Sequence, residues 1–148
     1  MGAFWPFLGV LSGALLALQA PINAELARGL GLPVAAAAIS FLSGAVVLGF
    51  VSYFMVRMGG ISLGWREPAP WLFVTGGVMG AFYVTSATIL APKIGAAALM
   101  AFLVTGQLLA GLVVDKIGFM GLAVREISFG RVAGALLLVA GALMIRLL

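Results

Sequence analysis

Cysteine and histidine are both absent from this 148-residue chain. The first absence excludes a disulfide framework and any thiolate-bound metal. The second, with only four acidic residues, excludes a Ser-His triad and leaves too few ligands for a protein-built metal site. Charge is the next scarcity. Only 8% of residues are charged, against about 25% in a soluble domain. So few charges cannot cover a water-facing surface, and the chain is expected to be integral to a membrane. The net charge of +4 is eight basic residues less four acidic ones, and the basic residues are scattered singly over the loops. They form no basic stripe for nucleic acid and serve better as topology signals. Gly59-Gly60 is not followed by the Lys-Thr of a phosphate-binding loop. No acid or base is grouped with a nucleophile, so neither an enzyme nor a cofactor is expected. The N-terminus lacks a basic region ahead of its first apolar run, so a cleavable signal peptide is not expected.

What the chain does have is hydrophobic length: 64% of its residues are apolar. A spanning helix takes roughly 20 such residues. Five segments qualify, at about 4–28, 33–55, 70–90, 96–114 and 130–148. They predict an all-α membrane protein, a single domain built as a bundle of five transmembrane helices. Strands are excluded because the runs are too long and do not alternate. Pro33 suits a helix first turn, and Gly29 or Gly31 suits the preceding cap. Residues 91–95 read as a short turn, while 57–70 and 115–131 read as longer loops. Five spans put the two ends on opposite faces. One face then carries Arg57, Arg66, Lys116, Arg125 and Arg131, and the other Arg28, Lys93 and Arg146. That bias is weak for setting orientation. Trp5, Trp65 and Trp71 all fall on the first face, as interfacial residues do. Gly9 with Gly13, Gly76 with Gly80, Ser40 with Gly44 and Gly134 with Gly141 stand at helix-packing spacing.

Polar residues within spans are costly unless paired, and they face the bundle interior. The first span is almost entirely apolar for its first fifteen residues and then holds Gln19, Pro21, Asn23 and Glu25. Gln19 and Asn23 are four apart and share a helix face. Pro21 frees the carbonyl near Ala17 and is expected to kink the helix. This polar half is expected to line a substrate path, the alternative being that the amides only bridge helices. Glu25 reads as an interfacial residue paired with Arg28, the alternative being a carboxylate that titrates for proton coupling. Tyr83 and Ser86 share a face of the third span, while Thr85 and Thr88 can return their hydroxyls to the preceding turn. Thr105 and Gln107 lie near the middle of the fourth, where Gly106 leaves room for a ligand or helix. The serines of the second span read as packing residues, and Asp115 and Lys116 as boundary residues.

These residues carry a family resemblance. Gln19-x-x-Ile22-Asn23-Ala24, Ser40-Phe41-x-x-Gly44, Gly80-Ala-Phe-Tyr-Val and Gly106-Gln107 with a following Asp115 occur in order. The matching blocks are residues 19–48, 76–118 and 131–148. Together they resemble the half-length, five-helix inner-membrane exporter branch of the drug/metabolite transporter superfamily of bacteria. The resemblance implies one half of a ten-helix, inverted-repeat transporter with the substrate path at the midplane. It implies pairing with an antiparallel second copy, in dual topology, or with a related chain. It also makes Gln19, Asn23, Tyr83 and Gln107, with Ser86 beside them, the candidate substrate-binding residues. Small multidrug exporters of the same superfamily use an embedded Glu in helix one. Leucines and alanines stand there here, which speaks against proton-coupled export of a cationic drug. The expectation is a secondary transporter of a small neutral or amphipathic metabolite in the bacterial inner membrane. The rival readings are a non-transporting scaffold or assembly subunit and a passive channel.

Overall fold

The computed structural model describes residues 4–147. It is all-helical: α1 (Phe4–Leu30), α2 (Pro33–Gly59), α3 (Leu72–Ile94), α4 (Ala96–Ile117) and α5 (Phe129–Leu147). A single 3-10 turn covers Phe119–Gly121. No strand occurs among the described residues. All five helices are long and apolar enough to cross a membrane. Large side chains such as Trp5, Phe50, Phe54, Phe82 and Leu137 stand exposed along them. Water does not tolerate such a surface, and lipid does.

Each helix ends where backbone geometry demands it. α1 runs as one helix through Pro21, whose ring lies on an exposed side. Gly31, at φ +73°, then reverses the chain in a conformation that glycine adopts without strain. Leu32 is extended, Pro33 opens α2, and the Leu32 carbonyl accepts from the N–H groups of Ala35 and Ala36 at 3.1 and 3.2 Å. α2 extends one turn beyond Met55, to Gly59. α3 takes in the run 91–94 that reads as a turn in sequence, leaving Gly95 alone to connect α3 to α4. Pro92 costs the last turn of α3 one hydrogen bond without stopping it. α5 starts at Phe129, and Leu148, which the sequence placed in the fifth span, lies outside the described residues.

The chain divides into two compact units, the first ending at Pro92 and the second starting at Lys93. The first holds α1, α2 and nearly all of α3. α1 packs on α2, and apart from Asn23 the buried side chains of these two helices are alanines. Ala20, Ala24 and Ala27 recur on one face of α1, and Ala36 and Ala37 are buried on α2. This corrects the packing expected at glycine pairs. A Cβ added at Gly9, Gly13, Gly44, Gly76, Gly134 or Gly141 would meet nothing within 4 Å. Gly80 is the exception. In the second unit α4 packs on α5. Ser128 caps α5: its backbone carbonyl accepts from Arg131 and Val132 N–H at 3.1 Å each, and its Oγ accepts from Arg131 N–H at 3.4 Å. Such a cap satisfies N–H groups that the first helical turn leaves open.

Candidate functional site

The polar side chains of α1 meet α2 at one hydroxyl. Gln19 Nε2 donates to Ser40 Oγ at 3.3 Å, and Asn23 Nδ2 donates to the same oxygen at 3.4 Å. The i, i+4 spacing puts both amides on one face of α1, and the two-residue turn brings Ser40 of α2 alongside. Asn23 is 4% exposed, so its amide is committed to the protein interior. At 1.5 Å per residue Gln19 lies roughly 16 Å from the end of α1, well within lipid depth. In sequence Ser40 reads as a packing residue; in the structure it is the acceptor that joins the two amides.

α3 closes the other side. Gln19 and Asn23, with Leu16 and Ala20, face Tyr83, Val84 and Ala87 across a seam too tight to hold water. Tyr83 thus lines the seam with the amides, and its hydroxyl makes no hydrogen bond among the described residues. Tyr83 falls at the centre of α3. Beside the seam a cleft of about 310 Å³ opens between the three helices. Gln19 and Ser40 are its polar end, and Phe41, Gly44, Leu48 and Val84 supply its apolar walls. No charged residue lines it. With Ser40 Oγ receiving two N–H groups, the hydroxyl proton remains to be donated and the Gln19 carbonyl remains to accept. The cleft thus offers one donor and one acceptor to an uncharged guest.

The remaining candidates lie elsewhere. Ser86 is half-buried on α3 and outside both the seam and the cleft. Gln107 sits at the centre of α4, in the second unit, with its side chain on an exposed face. Glu25 pairs with Arg28 one turn on, and their side chains are 70% and 73% exposed, an arrangement typical of a helix end. Thr88 donates to the Val84 carbonyl at 2.8 Å and Thr105 to the Ala101 carbonyl at 2.8 Å, so both return their hydroxyls to their own helix. Asp115 does more than end a span. Its carboxylate pairs with Arg131 of α5, and its backbone carbonyl accepts from Arg125 N–H at 2.9 Å. Among the described residues no group of acidic side chains could hold a metal.

Comparison with known proteins adds a family. The profile described as "Putative inner membrane exporter, YdcZ" matches residues 4–144. A curated relative, Inner membrane protein YdcZ of Escherichia coli (strain K12), is 38% identical over 72 residues. That alignment spans 49% of this chain and 48% of the relative, about half of each. No solved structure matches the chain.

Proposed function

The chain belongs to the YdcZ family of inner membrane exporters, and from that premise we propose that it is one half of a secondary carrier for a small neutral or amphipathic metabolite. Multi-pass residence in the inner membrane follows from the family and the five apolar helices. The observation that carries the substrate class is the uncharged Gln19–Ser40–Asn23 cluster, set within lipid depth beside an open cleft. Buried polar groups in a membrane helix mark a substrate path when they border a cavity. A charged solute entering this cleft would lose its hydration shell with no countercharge in return.

In this reading the five helices pair with an antiparallel second copy, or with a related chain, and the path alternates between the two faces of the membrane. Support comes from the near-even division of basic residues between faces, which lets a chain insert in either orientation. Support comes also from Gln107, a mid-helix amide that a partner half would supply with a hydrogen-bond partner. Tyr83 and Gln107, central on α3 and α4, are then path residues of the assembled carrier. The test is reconstitution of the full chain with a C-terminal cysteine and a membrane-impermeant thiol reagent. Labelling from both sides, together with saturable counterflow of an amphipathic neutral solute, is expected. Labelling from one side alone sinks the homodimer, and flux without saturation or counterflow sinks the carrier. The driving ion is read from the pH dependence of counterflow. A dependence that disappears in Glu25→Gln assigns coupling to that carboxylate, and one that persists excludes it.

A further inference from the structure

Gly80 is the one glycine inside a helix, away from its ends, with a neighbouring side chain pressed against it among the described residues. A Cβ there would lie 2.9 Å from Phe41 Cζ and 3.3 Å from Phe41 Cε1. Contacts that short do not occur, so any larger residue at position 80 displaces the ring. Phe41 follows Ser40 on α2 and is itself a wall of the cleft, and with 40% of its surface exposed its ring has space to move. The ring rests in the slot left by Gly80, and the cleft beside it is open.

We propose that Gly80 and Phe41 together set the specificity of this cleft: glycine at 80 parks the Phe41 ring against α3, which leaves a berth for a neutral ligand with a slim apolar body and one polar end. The proposal rests on the carrier reading above and assigns it a ligand class. The body lies along Gly44 and Leu48, where a Cβ added at Gly44 would meet nothing within 4 Å. The polar end meets Ser40, which donates its hydroxyl proton, and the carbonyl of Gln19, which accepts. A hydroxyl or an amide satisfies both at once; a quaternary ammonium satisfies neither, and a carboxylate leaves the Gln19 carbonyl unmatched. Filling the slot drives the ring into the berth and removes the room for the body.

The experiment uses the full chain in lipid nanodiscs and a benzyl alcohol carrying a photoreactive diazirine, with cross-linked peptides mapped by mass spectrometry. Labelling is expected on α2 between Ser40 and Leu48. Benzamide should compete it away, and benzoate and benzyltrimethylammonium at the same concentration should not. Gly80→Ala, which favours the helix itself, should lower labelling by roughly fivefold or more. Phe41→Ala added to Gly80→Ala should restore it. Phe41→Ala alone removes one wall of the cleft and should let 2-naphthalenemethanol, too broad for the unaltered berth, compete the label away; this variant decides the matter even where Gly80→Ala is poorly folded. Labelling indifferent to Gly80→Ala, absence of rescue in the double variant, no competition by 2-naphthalenemethanol in Phe41→Ala, or competition by the ammonium compound each overturns the proposal. Counterflow measured in parallel separates the two readings. Counterflow without the expected labelling leaves the carrier standing and removes this berth; labelling as expected without counterflow removes the carrier and leaves a binding site.

Discussion

Ser40 is distinguished by what its hydroxyl does not do. Ser12, Ser43, Thr75, Thr88 and Thr105 all donate to the carbonyl four residues back, at 2.8–3.1 Å. That bond is open to any serine or threonine within a helix. Ser40 instead collects two amides from α1. Ser40→Ala should therefore leave two N–H groups without their acceptor and cost about 0.6–2 kcal/mol, the span from folded-protein averages to model-peptide values for interhelical hydrogen bonds in membranes. Thermal unfolding in bicelles measures it, and Ser43→Ala is the control expected to change stability little. The shared face of Gln19 and Asn23 was legible because it follows from helical spacing alone, as was the pairing of Glu25 with Arg28 one turn away. The hydroxyl that the amides reach was not, since every serine in an apolar span looks alike until its neighbouring helix is placed. The slot at Gly80 was hidden likewise: its spacing from Gly76 suggested backbone contact, whereas the structure fills it with a ring from α2.

At the scale of elements, two connections are held by quite different means. Gly95 joins α3 to α4 at φ +82° and ψ 154°, a region nearly closed to residues with a Cβ. Gly95→Ala should cost of order 1–3 kcal/mol, seen as a lowered thermal midpoint. The α4–α5 connection is held by polar contacts instead. Asp115 receives Arg131 and Arg125, and a guanidinium nitrogen of Arg131 also donates to the Glu126 carbonyl at 3.4 Å. Asp115 and Arg131 are each 31% exposed. Asp115→Asn should cost about 1–2 kcal/mol, between the values of exposed and buried pairs. Hydrogen exchange should rise at the amides of residues 122–128 if the carboxylate organises the loop; unchanged exchange there would contradict that role. The five helices were legible because lipid thickness dictates their length. Their ends were less so, because hydrophobicity marks what lies in lipid, whereas helical hydrogen bonding continues into the interface until a glycine releases it. The Asp115–Arg131 pair spans sixteen residues of sequence, beyond any local rule, so Asp115 read as a simple boundary.

For the molecule as a whole, orientation is the property on which the proposed pairing depends. Adding two arginines to the 60–71 connection should fix most chains one way and lower counterflow. Co-expression with a copy biased the other way should restore it, and failure to restore would count against antiparallel pairing. The connections themselves offer an independent reading. Those after α1 and α3 shrink to Gly31-Leu32 and Gly95, while those after α2 and α4 run over residues 60–71 and 118–128. In the proposed carrier every helix crosses the membrane, as its length and apolarity allow, which would put the short turns at one membrane face and the long loops at the other. Arg66 and Arg125 sit in the long loops, whereas Arg28 and Lys93 are wound into helices. Unwound backbone is what a protease can grip. Trypsin supplied from outside intact spheroplasts should then cut one orientation and spare the other. The surviving fraction becomes a tally of how many chains entered the membrane each way, read from a gel without a tag or a substrate.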